Sequence, residues 1–241
     1  MPDRPDWSKY LPGSTRHSLE DMSELAARLG SPDVYDRRGE VVWMDTFGYG
    51  LAPWIVSTLG DDAAADIVVA NTDLGGYALK LVGGSTTTWT SFIERQFSLT
   101  TLGKAGLEVS IWIPGAFDEI YIYLLRNEGT QTHKGVIKLT WTGGLISYLN
   151  SGNTYTQLAS GVLYAHTDVR YNNIKLVVDM VKDEYVRFLF DEVAYPVAGE
   201  SIRVQTISAT PGYQMIVELK SRDGENDYVQ IGRVIVTGNE P

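Results

Sequence analysis

Residues 174–180 have the sequence Ile-Lys-Leu-Val-Val-Asp-Met, which is the clearest strand pattern in the chain. Every second side chain is apolar, in the order Ile174, Leu176, Val178 and Met180. Such alternation predicts a strand that buries one face against a core. The dipeptide Lys182-Asp183 then predicts a turn, and residues 185–190 predict the returning strand of an antiparallel hairpin.

The same two-residue period continues on both sides of this hairpin. Gly143-Gly144 predicts a tight turn between strands 136–141 and 145–149, because both turn positions need a positive φ. Further strands are predicted at 67–70, 77–82, 89–99, 107–113, 119–125, 201–207, 214–220 and 228–236. Frequent turn signals without a second long helix predict an all-β antiparallel sandwich, not a parallel α/β sheet.

Residues 1–40 have a different pattern and are predicted to form an extended arm and one short α-helix, ahead of a sandwich at 41–241. Trp7 and Tyr10 are apolar anchors of the arm, and Ser18 is suited to cap the helix. The apolar stripe of the helix is Leu19, Met22, Leu25, Ala26 and Leu29. About three helical turns are not stable alone, so the stripe is expected to dock on the sandwich or on another subunit.

The bulk composition excludes several classes of protein. The formal net charge is −10, which disfavours nucleic acid as a partner because a phosphate backbone would be repelled. The chain has no cysteine, so a disulfide scaffold and a thiolate metal site are excluded. A signal peptide and an apolar run long enough for a membrane span are not visible, so membrane insertion is not expected.

Five stretches resemble strands of the concanavalin-like and laminin-G-like jelly rolls. They are Val-Trp-Met-Asp-Thr-Phe at 42–47, Gly-Gly-Tyr-Ala-Leu-Lys-Leu-Val-Gly-Gly at 75–84, the core strand 107–113, the hairpin 172–187 and the closing strand 228–236. The resemblance covers about residues 41–237 and implies an antiparallel jelly-roll β-sandwich. Many relatives carry an aspartate near a calcium or ligand site in the closing strand, whereas residues 230–232 here are Gln-Ile-Gly. The resemblance therefore does not extend to that calcium site.

The arm and helix lie outside this resemblance. An acidic jelly roll with a short anchoring segment is similar to virion components of tailed phages, such as capsid decoration and tail proteins. This similarity implies a non-enzymatic structural or assembly protein that forms a homo-oligomer or a larger assembly. It also implies a location on a virion or an extracellular surface.

The acidic residues do not form the pattern of a glycoside hydrolase of this fold. Such enzymes carry paired carboxylates at alternating positions of one strand, where both face the cleft. Asp118 and Glu119 are adjacent, so they are expected to point to opposite faces at a solvated strand entry. His17, His133 and His166 are too far apart in sequence to predict a zinc site. An enzyme is therefore not expected, and a hydrolase is the third choice of function.

One loop has oxygen donors at alternating positions. Asp223, Glu225 and Asp227 resemble calcium ligands, but Asp223-Gly224 is also a common hairpin turn. The turn alone explains the loop, so no cofactor is expected and calcium remains the alternative.

Aromatic residues are numerous, with 14 tyrosines, 6 tryptophans and 6 phenylalanines. Trp141, Tyr148 and Tyr155 lie on or beside the hairpin at residues 143–144, with Asn153 nearby. Sugar rings stack on aromatic faces while their hydroxyls need fixed polar partners, so these four residues form a candidate glycan-binding patch. A subunit interface has the same composition and is favoured over sugar.

The remaining large aromatic side chains are expected to fill the core, because aromatic residues are good strand formers. They are Trp43, Trp112, Phe188 and Phe190.

Overall fold

The structure is a computed structural model, and it describes residues 38–72, 75–85, 90–97, 103–164 and 170–241. The described residues form sixteen strands in two sheets of eight strands each. No helix in these ranges combines the length and apolarity that a membrane crossing needs.

Sheet I has the strand order β13-β12-β11-β6-β16-β4-β3. The first part of β16, residues 228–231, pairs with β4, and the last part, residues 234–238, pairs with β1. Its strands are β1 (Glu40–Asp45), β3 (Ala64–Thr72), β4 (Gly75–Val82), β6 (Lys104–Trp112), β11 (Asn172–Asp179), β12 (Glu184–Phe190), β13 (Val193–Tyr195) and β16 (Tyr228–Gly238).

Sheet II has the order β10-β9-β8-β7-β15-β5-β2, and β14 pairs with β8. Its strands are β2 (Ile55–Thr58), β5 (Thr90–Phe97), β7 (Glu119–Asn127), β8 (Gln131–Thr140), β9 (Leu145–Leu149), β10 (Tyr155–Ala159), β14 (Arg203–Thr206) and β15 (Gly212–Lys220). Every strand pair within the described ranges of both sheets is antiparallel.

The core lies between the two sheets and is built by alternation along each strand. In β15, Met215 and Val217 are fully buried, whereas Ile216 and Glu218 between them are half-buried on the outer face. Successive side chains of a strand point to opposite faces, so the inward half of each strand supplies the core. The outward half is left to form two surfaces, one on each sheet.

The predicted sandwich and its two clearest hairpins are confirmed. β11 pairs with β12, and Asp183 in the connecting turn has a φ of 58°. β8 pairs with β9, and Gly143 and Gly144 in that turn have φ values of 79° and 57°. A side chain pays a steric cost in this region of φ, which explains why glycine occupies both positions of the second turn.

Three short strands were not predicted from the sequence, namely β2, β10 and β13. β2 and β13 have mostly exposed side chains, and β10 has none that is fully buried, so an alternating apolar pattern is missing. Each lies at the end of its sheet, where strand pairing on one side is enough to hold it.

The expectation that four aromatic residues fill the core is correct for Phe188 and Phe190, and Trp43 is partly buried against the core. It is wrong for Trp112. The core residues of β6 are at odd positions, so Trp112 lies on the outer face of sheet I, half-buried, with its ring centroid 6.4 Å from that of Tyr228.

The first described strand, β1, begins at Glu40. Residues 1–37 of the predicted arm-and-helix segment 1–40 lie outside the described residues. The same is true of the proposed docking side chains Trp7, Tyr10, Leu19, Met22, Leu25 and Leu29.

Candidate functional site

The outer face of sheet II carries a cluster of tyrosine, carboxylate and lysine side chains at its centre. Glu119, Tyr121 and Tyr123 are alternate residues of β7, and Ile120 and Ile122 between them are buried in the core. The register places Lys138 of β8 and Glu218 of β15 on either side of Tyr121. Side chains that oppose each other across neighbouring strands come into contact, so the five polar groups of this face form one cluster. We call it the tyrosine–carboxylate cluster, and Tyr155 and Lys220 complete it.

Glu119 is the charged centre of the cluster. Its Oε1 lies 3.0 Å from Lys138 Nζ, its Oε2 lies 3.3 Å from Lys220 Nζ, and Oε2 also accepts a hydrogen bond from the Tyr121 hydroxyl. Its side chain is 16% exposed, which corrects the expectation of a solvated strand entry. Burial alone would raise the pKa of Glu119, but these hydrogen bonds and the two lysine charges outweigh it and lower the pKa. Glu119 is therefore an ionised acceptor at neutral pH.

Glu218 has the opposite electrostatic setting. Its Oε2 accepts a hydrogen bond from the Tyr123 hydroxyl at 2.9 Å. Burial raises the pKa of Glu218, the negative charge of Glu119 adds to the rise, and hydrogen bonds from Tyr123 and Thr90 and the charge of Lys220 offset it only in part. Two neighbouring carboxyl groups thus differ in how readily they take up a proton.

Three tyrosine rings lie side by side in the cluster. The ring centroids of Tyr121 and Tyr123 are 5.8 Å apart with an interplanar angle of 22°, and those of Tyr121 and Tyr155 are 5.9 Å apart at 59°. Lys138 Nζ lies 4.5 Å from the centroid of the Tyr155 ring, which is the distance of a cation–π contact. Burial together with the nearby carboxylates raises the pKa of Tyr155 to about 12, so its hydroxyl stays protonated and can donate a hydrogen bond.

The polar character continues along the same face. Gln96 Nε2 donates to Glu94 Oε1 at 2.7 Å on β5, and Asn127 Nδ2 donates to Gln214 Oε1 at 3.3 Å between β7 and β15. Aromatic rings surrounded by fixed donors and acceptors are the chemistry with which proteins hold polyhydroxylated ligands.

The structure does not bring the four predicted patch residues together. Tyr155 belongs to the cluster, but Tyr148 points into the sandwich, with its ring 5.3 Å from that of Tyr185 and its hydroxyl donating to Glu200 Oε2 at 2.7 Å. Trp141 packs edge-on against Phe117 at 5.7 Å. Asn153 is exposed in the turn before β10, with a φ of 63°. Of the four predicted residues, Tyr155 alone therefore presents a ring on the face that carries the cluster.

Most of the cluster was missed by sequence reasoning. The alternation Glu-Ile-Tyr-Ile-Tyr at 119–123 was a usable signal, because it places an acid and two aromatics on one face of a single strand. No local signal joined this strand to Lys138 or Glu218, since those residues come from other strands and meet β7 only through the sheet register.

The loop with calcium-like donors is organised as a turn. The buried Asp227 carboxylate accepts hydrogen bonds from the backbone N–H of Arg222 at 2.8 Å and from its guanidinium at 3.1 and 2.8 Å. Gly224 has a φ of 78°, and Asp223 and Glu225 are exposed. Within the described ranges, the histidine and acidic side chains form no group of three suited to a metal ion.

Comparison with known proteins finds similarity in structure alone. Neither a protein-family model nor a curated protein matches the sequence. The cellulose-induced protein Cip1 matches with a TM-score of 0.54 at 11% identity, over 81% of this chain and 96% of that one. A carbohydrate esterase of the Shiga toxin-encoding bacteriophage phi24B matches with a TM-score of 0.52 at 13% identity, over 84% and 100%.

The exoplasmic/lumenal domain of VIP36, solved with Ca²⁺ and Man3GlcNAc bound, matches with a TM-score of 0.51 at 11% identity, over 80% of this chain and 87% of that one. Identities this low carry information about the fold alone. Together with the strand order of the two sheets, they establish that the chain is an antiparallel jelly-roll β-sandwich with the concanavalin-like fold.

Proposed function

We propose that the protein is a carbohydrate-binding β-sandwich and that the tyrosine–carboxylate cluster of sheet II is its glycan site. The observation that carries the proposal is the position of Tyr121, Tyr123 and Tyr155 around an ionised carboxylate, Glu119, on one sheet face.

The chemistry of the cluster matches the two kinds of surface that a sugar offers. The C–H face of a pyranose ring packs on an aromatic ring, for which Tyr155 and its neighbour Tyr121 are placed. Sugar hydroxyls donate to carboxylates and accept from ammonium groups, which Glu119 and Lys138 supply. Support for the ligand class also comes from the VIP36 domain, whose solved structure contains Man3GlcNAc.

We further propose that the site binds its ligand without hydrolysing it. Glu119 is within 3.3 Å of both Lys138 Nζ and Lys220 Nζ, and these charges lower the proton affinity of the carboxylate. A general base with a depressed pKa removes a proton poorly at neutral pH. We therefore expect Glu119 to act as a hydrogen-bond acceptor for sugar hydroxyls.

The test is a glycan-binding screen of the full chain, followed by titration calorimetry of the best ligand with three variants. Tyr155→Ala removes the aromatic ring and is expected to weaken binding at least tenfold. The variant loses both the stacking of the sugar ring on Tyr155 and the contact between Tyr155 and Lys138. Tyr49→Ala is the matched control, since Tyr49 is 97% exposed and is not part of the cluster. Tyr155→Phe keeps the ring and is expected to retain most of the affinity. Equal affinities of Tyr155→Ala and the parent chain for every bound glycan would overturn the assignment of the site.

A second candidate function is a structural role in a larger assembly, such as display on a virion. It is favoured by exposed apolar side chains on β2 and β3, which are edge strands of sheet II and sheet I, and on the neighbouring strand β4. Ile55 is 52% exposed, and Val69 is 85% exposed opposite Tyr77 at 48%. Exposed apolar edge strands pair readily with other chains.

Light scattering across a concentration series tests this second candidate. A stable oligomer that Val69→Lys together with Ile55→Lys converts to a monomer would support assembly through this edge. A parent chain that is monomeric at every concentration would contradict self-assembly.

A further inference from the structure

The centre of the outer face of sheet I is buried, although it points away from the core. Glu108, Lys175 and Ile235 are outward residues of β6, β11 and β16, and they are 3%, 0% and 1% exposed. Their inward neighbours, such as Leu107 and Leu176, belong to the core between the sheets, whereas these three do not. One face of an antiparallel sheet is commonly left to solvent, so burial on this side requires a cover.

The charged side chains at the centre of this face form close ion pairs with one another, as buried charges require. Lys175 Nζ lies 2.7 Å from Glu108 Oε1 and 2.9 Å from Glu240 Oε1, and Arg187 contacts the other Glu240 oxygen at 2.5 Å. Taking ions out of water is costly unless they are paired this closely. The pairing therefore belongs to a face that stays covered in the folded protein.

The described chain covers one corner of this face at the point where it enters sheet I. The carbonyl oxygen of Arg38 accepts a hydrogen bond from Lys175 Nζ at 2.9 Å. The backbone of Gly39 is so close to Glu240 that an added Cβ would lie 2.4 Å from its Oε1. Ser110, at 2% exposed, and Arg233, at 5%, lie in the next row of the sheet and are buried as well.

We propose that residues 1–37 dock in cis on the outer face of sheet I and complete its cover. Arg38, the first described residue, lies at this face, where its carbonyl oxygen accepts a hydrogen bond from Lys175 Nζ at 2.9 Å. The predicted helix has an apolar stripe that needs a partner, and Ile235 and Val177 are apolar residues of the covered face. Three turns of helix are about 16 Å long, close to the roughly 14 Å that four neighbouring strands span at a spacing of about 4.8 Å.

Docking in cis separates two roles. Residues 1–37 then act as part of the sandwich, and an assembly role would depend on the edge formed by β2 and β3. The inference is independent of glycan binding, because the cluster lies on the outer face of the other sheet.

The chain has no natural cysteine, so thiol labelling of single introduced cysteines can report on the cover. In the full chain, Ser110→Cys is expected to react with a maleimide reagent at least tenfold more slowly than Ser151→Cys in the exposed turn between β9 and β10. Adding Met22→Asp and Leu25→Asp to the stripe is expected to raise the labelling rate at position 110 at least tenfold. The rates are expected to be the same at every protein concentration.

Ser91→Cys serves as the control for global unfolding, because Ser91 is fully buried on the inner face of β5. Its labelling rate should not change with the aspartate substitutions. An unchanged rate at position 110 would overturn the proposal, and a rate that rises on dilution would show that a second copy supplies the cover.

If the aspartate substitutions speed labelling at positions 91 and 110 equally, the variant is unfolding, and a second measurement decides. A photo-reactive benzoylphenylalanine at Leu25 should then cross-link to β6, β11 or β16 of the same chain. Cross-links to sheet II or between two chains would contradict docking in cis.

Discussion

Tyr123 donates its hydroxyl hydrogen to Oε2 of Glu218 at 2.9 Å, and the two residues are separated by 95 positions in the sequence. The contact joins β7 to β15 on the outer face of sheet II, beside a second carboxylate, Glu119. The pKa of Glu119 is lowered and that of Glu218 is raised. Replacing each carboxylate by a neutral amide is therefore expected to change the stability in opposite directions.

Glu218→Gln is expected to stabilise the protein at pH 7. The pKa of Glu218 is raised above 4.5, so the folded state binds the proton more tightly than the unfolded state, and stability falls as the pH rises through that window. The neutral amide removes this loss and can still accept from Tyr123. Denaturant unfolding at pH 7 and pH 4 checks the sign, and the gain should be absent at pH 4. A loss of stability at pH 7 would contradict the electrostatic assignment.

Glu119→Gln is expected to destabilise the protein by about 1 kcal/mol at pH 7, because contacts to Lys138 and Lys220 lose their charge component. The pKa of Glu119 is lowered below 4.5, so its ionised form favours the folded state above pH 4.5. This contribution disappears as the pH falls through the folded-state pKa. Unfolding curves between pH 7 and pH 3 should converge for the variant and the parent chain, and a constant difference would refute the prediction.

Tyr185→Phe is expected to cost about 1–3 kcal/mol of stability, although it removes a single oxygen atom. The buried hydroxyl accepts from the Val136 N–H at 2.9 Å and donates to Leu149 O at 2.8 Å, so it links β12 of sheet I to β8 and β9 of sheet II. The phenylalanine leaves a buried N–H without this partner. Tyr49→Phe is the exposed control, and equal unfolding midpoints for the two variants would contradict the role of the hydroxyl.

Gly135→Ala is expected to destabilise the sandwich by about 1–3 kcal/mol, as overpacked cores do. A Cβ at this position of β8 would lie 2.5 Å from Val178 Cγ2 on β11, so the two sheets would be forced apart. Adding Val178→Ala should relieve the clash and recover part of the loss. Gly76→Ala is the control, since its added Cβ meets no atom within 4 Å. Additive costs in the double variant would show that the clash is not the cause.

Calcium is expected to leave the stability unchanged. The Asp227 carboxylate already accepts three hydrogen bonds from Arg222, so a cation would have to displace them. Thermal unfolding with about 10 mM calcium, or about 1 mM chelator in its place, checks this, and the melting temperatures should agree. A rise in melting temperature that Asp227→Asn removes would establish a calcium site in the loop.

Local pattern was enough to predict the sandwich, its hairpins at 143–144 and 182–183, and most of its strands, because alternation and turn residues act over a few positions. It assigned Trp112 to the core and Tyr148 to the surface, whereas the structure has them the other way round. Which face a side chain occupies depends on its position in the alternation of its strand. The site depended on sheet register, which brings Lys138 and Glu218 to Tyr121 from strands remote in sequence. Periodicity specifies which face of a strand is buried, but only the packed sheets specify which strands become neighbours.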